Sequence, residues 1–460
     1  MKKTIKEILA LEEGAEVVAT GWVRTKRDSK NVVFISVGDG TCFDALQVVV
    51  DKEGFADIET IEAMNTGASC QFEGVLQKSL GKNQSVELLA KSCRMFCNAD
   101  DSYPLQKKHQ TFEFLREKLH LRGRTNTFGA VMRVRSILAY AIHRFFQEKG
   151  FFYLNTPLVT TSDCEGAGEM FEVTTLNLAN PPKTKDGGVD FSKDFFSKRA
   201  FLTVSGQLEG ESYATAIRNI YTFGPTFRAE KSSTTRHLAE FWMVEPEMAF
   251  YDLNDNADLA EEFLKYIFKY VLDNDPRDME FFDKFILEGV VDTIRHVIEK
   301  PFVRMTYTQA IKELEKNNKS FEYPVKWGSD IQTEHERYIS ETVCKAPVIL
   351  TDYPKEIKSF YMKANDDGKT VRAMDVLVPR LGEIIGGSER EEDYGKLLAK
   401  IREMGLNESE YEWYLDLRKF GSVPHAGFGL GFERAILYLT GMQNIRDVIA
   451  YPRFWKSEKK

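Results

Sequence analysis

Three segments of the chain combine residue types that could do chemistry. The first runs from Asn219-Ile-Tyr-Thr-Phe-Gly-Pro-Thr-Phe-Arg228-Ala-Glu230, through a polar stretch ending in Arg236-His237, to Glu240-Phe241-Trp-Met-Val-Glu245-Pro-Glu247. Alternate side chains on a strand share a face, so Phe241, Met243, Glu245 and Glu247 are expected together, as are Arg228 and Glu230 on a partner strand. One sheet face then holds an arginine, an aromatic ring and several carboxylates, more charge than a core strand carries without using it. An edge hairpin with solvated charges would leave the same pattern. Gly224-Pro225 conflicts with the strand, because proline donates no hydrogen bond to a ladder.

In the second segment, Asp375-Val-Leu-Val-Pro-Arg-Leu-Gly-Glu383-Ile-Ile-Gly386-Gly387-Ser-Glu-Arg390, Asp375 and Glu383 could share a hard cation such as magnesium. The glycine pair lets backbone approach a ligand closely, although a plain turn between strands would read similarly. The third, Pro424-His-Ala-Gly427-Phe-Gly429-Leu-Gly431-Phe-Glu433-Arg434, leads glycines into a helix start, where free N–H groups and the helix dipole favour an anion. No Gly-Lys-Ser/Thr follows, so it is not a P-loop, and it departs from Gly-x-Gly-x-x-Gly, which argues against a dinucleotide fold. Arg434 adds a planar charge suited to phosphate.

The elements that must position these groups are legible around them. With 460 residues, 43% hydrophobic and 29% charged, the chain has room for several packed domains and is not a disordered or collagen-like sequence. Its net charge of −8 excludes a histone-like coat, so nucleic acid has to be held by local basic patches. No apolar run is long enough to span a bilayer and the opening residues lack a signal-peptide core, so the protein is expected in the cytoplasm. The six cysteines suggest neither a disulfide framework nor a zinc site. From Glu16 to Cys97, five short alternating runs punctuated by Gly-Asp-Gly predict a small β-barrel, with the OB-fold the natural candidate. Lys107, Lys108, Arg116, Lys118, Arg122 and Arg124 stand against only Glu113 and Glu117, which reads as a hinge or equally as a solvated charged helix. Apolar residues from Phe128 to Phe146 recur at helical spacing, capped by Asn126 or Thr127 and stopped by Gly150. Phe151 to Thr160 reads as a strand, and Asp255 to about Lys300 as two helices broken at Asp275-Pro276. Strands return beyond Thr370 and a helix closes the chain. Without a regular βαβ alternation, this is α+β.

These residues resemble a known family. Phe227-Arg228-Ala-Glu230 with Arg236-His237-Leu-Ala-Glu240-Phe241 looks like motif 2 of class II aminoacyl-tRNA synthetases, Gly429-Leu-Gly431-Phe-Glu433-Arg434 looks like motif 3, and Val131–Gly150 with the strand to Pro157 is similar to motif 1, the dimer element. The barrel followed by this order resembles the subgroup charging aspartate, asparagine or lysine. The segments Glu240 to Phe250 and Trp413 to His425 are similar to its asparagine-specific members. The resemblance implies an OB-fold anticodon-binding domain at 1–100, a hinge at 101–125, and a class II catalytic domain at 126–460 whose antiparallel sheet is flanked by helices, with an inserted region near 255–368. It also accounts for Gly224-Pro225, which the family carries before its motif 2 arginine.

The implied reaction is activation of L-asparagine by ATP and transfer to tRNA(Asn), by a homodimer that needs Mg2+. The resemblance puts Arg228 on the α-phosphate and the attacking carboxylate, Arg434 on the γ-phosphate, Glu230 on the adenine amino group and Phe241 against its ring. Arg236, His237 and Gly431 complete the ATP site, although a structural loop role fits His237 nearly as well, and Asp375 and Glu383 hold magnesium. Glu165, Ser205 and Gln207 are implied for the α-amino group. Aspartate-charging relatives carry a lysine where this chain has Gly210, and its absence argues for an uncharged side chain. Arg390 is expected to donate to the amide oxygen, with Glu245 opposite accepting from the amide nitrogen and Glu211 as the rival acceptor. In the barrel, Arg24, Lys26, Arg27 and Lys30 form a basic edge beside Phe34 and Gln47, which the resemblance assigns to stacking on and reading the anticodon. The competing readings are an aspartyl-charging or non-discriminating enzyme, and a binding protein that has lost catalysis.

Overall fold

The structure, a computed structural model, describes residues 3–79, 84–106, 110–164, 170–232 and 234–456. The described residues divide into two compact units, one up to Val134 and one from Arg135.

The first unit is built on a closed barrel of β1 (Glu16–Asp28), β2 (Val32–Gly38), β3 (Leu46–Asp51), β4 (Ser69–Lys78) and β5 (Val86–Cys97), in the order β1-β2-β3-β5-β4. Period-two alternation sends Val33, Ile35 and Val37 into the core with Val48, Phe72 and Leu88, while Phe34 and Ser36 point outward. The expected hinge is ordered: helices Phe112–Glu117 and Leu119–Arg122 enclose a small core of Leu105, Leu115 and Phe128. Arg122 is buried with its guanidinium 4.2 Å from the Phe128 ring centre, so this charge is not solvated. Lys107 and Lys108 lie outside the described residues. The long helix spans Asn126–Glu148, and its cap is Thr125, whose hydroxyl accepts from the Phe128 N–H at 3.3 Å.

In the second unit, the ten-residue strand expected from Phe151 forms as two short pieces, β6 (Phe152–Tyr153) and β7 (Val159–Thr160); β7 joins β8 (Glu172–Val173) and β9 (Ala200–Leu202) in a separate small sheet. β10 (Asn219–Phe227), β11 (Glu240–Ala249), β12 (Val303–Thr306), β13 (Val348–Pro354), β14 (Thr370–Val378), β15 (Gly382–Glu389) and β16 (His425–Gly431) join β6 in a sheet ordered β12-β13-β14-β15-β16-β11-β10-β6. The proline conflict resolves here. β6 pairs with β10 only at Ile220 and Tyr221, so Pro225 sits where β10 is an edge and its missing donor faces no partner. Three helices, Leu253–Asn274, Pro276–Phe285 and Val290–Glu299, replace the two expected, with Pro276 in the first turn of its own helix. The region 255–368 also contributes β12 and β13, and its Tyr307, Leu314 and Phe360 share a core with Tyr414.

Register sets the two faces of the sheet. Val376, Ile385, Leu430 and Val244 pair across four strands and are fully buried. The row one residue along, Asp375, Gly386 and Gly429, must therefore face the other way. Glycines at 386, 427, 429 and 431 leave that face without a floor of side chains. Among the described residues, no helix is long and apolar enough to cross a membrane.

Candidate active site and anticodon face

Two adjoining cavities open on this glycine-floored face. The first, of about 170 Å³, is lined by all of Arg228, Glu230, Arg236, His237, Phe241, Glu383, Gly431 and Arg434. Arg228 and Glu230 are not on a strand as expected. β10 stops at Phe227, one further hydrogen bond joins the Arg228 N–H to the Ala239 carbonyl, and both side chains project from the loop. The Arg228 guanidinium lies 3.9 Å from Glu230 and 5.5 Å from the centre of the Phe241 ring. Arg236 reaches across to donate to Thr333 Oγ1 at 3.0 Å and the Leu381 carbonyl at 3.4 Å, which fastens the loop. Burial, with Arg434, Arg228 and Arg236 nearby, pulls the His237 pKa below its ordinary value. Its Nδ1 is engaged by the Ser232 and Thr234 hydroxyls.

Arg434 sits in the first turn of the helix Phe432–Thr440, 3.4 Å from Glu383. The preceding Glu433 is buried and ties three elements together: it pairs with Arg135 at 2.7 Å and accepts from the Trp242 N–H at 2.8 Å. Its fixed backbone carries Arg434 with it. Asp375 and Glu383 each give one oxygen to a cation, Asp375 Oδ2 to Lys358 at 2.8 Å and Glu383 Oε2 to Arg434. Their other oxygens lie 3.4 and 3.2 Å from where a Cβ on Gly386 would stand, converging over that glycine. Two hard oxygen donors beside a phosphate-sized cavity suit magnesium, which prefers few protein ligands and completes its shell with substrate and water. Among the described residues no group of three or more His, Cys, Asp or Glu is arranged to hold a metal. Lys358, and Glu336, which accepts the Glu383 N–H at 3.0 Å, were not foreseen. Neither carries a motif; only the tertiary fold brings them here.

The second cavity, of about 300 Å³, shares Arg228, Met243, Glu383 and Gly429 with the first and adds Ser205, Gln207, Glu245, Glu247, Asp375 and Arg390. Glu165 lies outside the described residues. Both Glu245 and Arg390 line this cavity. Arg390 forks onto Glu247, a partner not foreseen, with Nε 3.1 Å from Oε2 and Nη2 on Oε1, and Nη1 donates to Ser388 Oγ at 2.7 Å. Burial pushes the Glu247 carboxyl up, and the charge and forked hydrogen bonds of Arg390 pull the other way and hold it as a carboxylate. A Cβ at the opposite Gly427 would come within 2.2 Å of Glu247 Oε1, so only glycine leaves room for the pair. Glu245 instead accepts from Ser205 Oγ on Oε1, and from the Gly206 N–H at 3.0 Å and Thr222 Oγ1 at 2.9 Å on Oε2. Oε1 keeps one acceptor site to spare.

Glu211 is not a rival acceptor. It is fully buried beneath the cavity and saturated by Arg418 Nη2 at 2.8 Å, His425 Nε2 at 2.9 Å, the Tyr414 hydroxyl at 2.7 Å and Gln207 Nε2 at 3.1 Å. Its pKa is held low by Arg418 and His425 against the opposing cost of burial. The carboxylate thus orients Gln207 at the cavity wall.

On the barrel, Arg27 pairs across the strands with Phe34 and stacks 5.1 Å from its ring centre, and Ser36 pairs with Gln47 on the same outer face. Gln47 Nε2 donates to Glu87 at 2.9 Å. Lys26 is not on this face. It lies opposite the core residue Ile35, and its amine caps the helix Ile58–Ala63 by donating to the Ile61 and Glu62 carbonyls at 3.0 and 2.8 Å. Arg24 folds onto the Arg124 carbonyl. Of the expected edge, Arg27, Phe34 and Gln47 remain together.

Comparison with known proteins bears on both units. Residues 112–454 match the family described as tRNA synthetases class II (D, K and N), and residues 17–96 match the OB-fold nucleic acid binding domain. An asparagine–tRNA ligase of Thermosynechococcus vestitus is 56% identical over 98% of each chain, and one of Picosynechococcus sp. is 58% identical over 98% of each. The crystal structure of asparaginyl-tRNA synthetase from Pyrococcus horikoshii complexed with asparaginyl-adenylate superposes with a TM-score of 0.86 at 32% identity, covering 99% of this chain and 98% of that one.

Proposed function

The chain belongs to the class II tRNA synthetases of the D, K and N group, and we propose that within it this enzyme is an asparagine–tRNA ligase, forming asparaginyl-adenylate from ATP and passing the amino acid to the 3′-terminal adenosine of tRNA(Asn). The observation that carries the reading is the meeting of the two cavities at Arg228 and Glu383. An amino acid in the larger cavity and ATP in the smaller one bring a carboxylate and an α-phosphate, both anions, to the same guanidinium.

Attack of that carboxylate on the α-phosphorus expels pyrophosphate, and the step depends on positioning and positive charge more than on proton transfer. Arg228 screens the two reactants, Arg434 takes charge on the departing phosphates, and Glu230 with Phe241 holds the adenine. Asp375 and Glu383 are the residues that would hold magnesium, which when bound supplies positive charge to the phosphates. Ser205 and Gln207 orient the α-amino group, Arg390 donates to the side-chain oxygen, and Glu245 Oε1 takes the amide N–H. The face of Arg27, Phe34 and Gln47 reads the anticodon. With its tRNA, the enzyme works in the cytoplasm. ATP-dependent charging of a tRNA(Asn) transcript with labelled asparagine, abolished by a chelator and restored by Mg2+, tests the reading; no charging under those conditions rejects it.

The enzyme also works as a homodimer. The two-residue β6 leaves the edge of the large sheet almost bare, and Phe152, Tyr153 and Leu158 are exposed around it. An apolar sheet edge of this kind is ordinarily covered. Light scattering at micromolar concentration should return twice the chain mass, and a monomeric mass contradicts this assignment.

A further inference from the structure

Between β8 and β9 the chain makes an excursion through residues 174–199 that neither cavity uses. It carries large apolar side chains out into solvent: Leu178 is 80% exposed, Phe195 75% and Phe196 45%, with the two rings edge to face at 4.9 Å between centres. The backbone behind them is fixed. Asp194 is buried and accepts from Thr174 Oγ1 at 2.6 Å, the Thr175 N–H at 2.9 Å, Thr175 Oγ1 at 2.8 Å and the Phe195 N–H at 2.7 Å, and Ser197 adopts a left-handed φ of 56°. Such anchoring holds the rings out in solvent, where burial would otherwise draw them in.

The surrounding charge selects the partner. Lys183, Lys185, Lys193, Lys198 and Arg199 are exposed, whereas Asp186 is the sole fully exposed acid of the segment; Asp194 faces inward, Asp190 is half-buried as a cap, and Arg199 is paired with Glu172. In a chain of net charge −8 this is a local cationic surface. Exposed rings among cations are what unpaired nucleotides stack on. The segment also leads without a break through β9 into Thr203–Gln207, and the Thr203 carbonyl accepts the Phe227 N–H beside Arg228. From Phe196 to Ser205 is nine residues, no more than about 30 Å even fully extended.

We infer that Phe195 and Phe196, with Lys193 and Lys198 two residues to either side in the chain, form a stacking platform for the unpaired 3′ nucleotides of tRNA as they enter the active site. The inference rests on the tRNA-charging reading above. Stacking one base on a ring is worth on the order of 10-fold in affinity. The test compares wild type and F195A/F196A for binding an intact tRNA(Asn) transcript and one lacking its unpaired 3′ nucleotides. Wild type should lose about 10-fold or more on truncation. The variant should bind intact tRNA as weakly as wild type binds the truncated form, lose nothing further on truncation, and keep its asparagine-driven ATP–pyrophosphate exchange. K193Q/K198Q should flatten the dependence of log affinity on log salt by about 0.7 per lysine. Wild-type affinity in F195A/F196A, or a loss equal for both transcripts, overturns the platform. So does conversion of the variant from dimer to monomer with tRNA affinity otherwise unchanged, since the rings then cover a second copy of the chain. Absence of asparagine-driven exchange in the wild type would instead reject the parent reading, which keeps the two failures apart.

Discussion

Arg228→Ala is expected to slow asparaginyl-adenylate formation by about 10²–10³, and Arg434→Ala by a similar factor, with the fold intact. Both guanidiniums stand at the cavity surface rather than in the core, with side chains about one third exposed. Their truncation therefore removes charge from the phosphates without leaving a buried hole. Arg228 lines both cavities, so its loss touches the incoming carboxylate and the α-phosphate together, whereas Arg434 touches only the ATP side. Single-turnover adenylate formation should fall for both, while KM for asparagine should rise for Arg228→Ala alone. Near-normal rates in either variant would make that residue structural.

The second large effect is at Arg390, and here the pairing with Glu247 changes what substitution does. Both side chains are nearly inaccessible, so Arg390→Ala strands a carboxylate in the interior, at a cost of about 3–5 kcal/mol in stability. It also removes the donor to the substrate's side-chain oxygen, and a site left with an unpaired polar group rejects its substrate by two or more orders of magnitude. The two effects are separable. Adding Glu247→Gln should recover most of the stability, measured by denaturant unfolding, and none of the asparagine kcat/KM. Recovery of both would assign Arg390 to the fold alone. Glu245→Gln works differently: it keeps the shape around Ser205 and Thr222 and removes repulsion of a substrate carboxylate, so aspartate should gain on asparagine.

Much of this arrangement was legible from residue patterns because it rests on local rules. Alternation on β2 separates Val33, Ile35 and Val37 from Phe34, and glycines before Arg434 mark a strand running into a helix start. What stayed hidden was the choice of partner. Glu211, Glu245 and Glu247 are interchangeable on paper, and only tertiary register determines that an arginine 143 residues after Glu247 forks onto that carboxylate. Lys26 reads like Arg27 until the helix Ile58–Ala63 is seen to end beneath its amine. Lys358 and Glu336 lie in stretches without a motif, and they reach the Asp375–Glu383 pair only through the folding of the region before β14. The ten-residue strand predicted after Gly150 splits between two sheets, Phe152–Tyr153 pairing with β10 and Val159–Thr160 with β9, a division that no local pattern announces.

Specificity rests on the larger cavity taking a neutral amide and refusing the isosteric carboxylate. ATP–pyrophosphate exchange measured in parallel with asparagine, aspartate and lysine tests it most directly. Exchange is expected with asparagine, with aspartate and lysine lower in kcat/KM by orders of magnitude, since Glu245 repels a carboxylate and Arg390 a second cation. Exchange driven equally well by aspartate would contradict it.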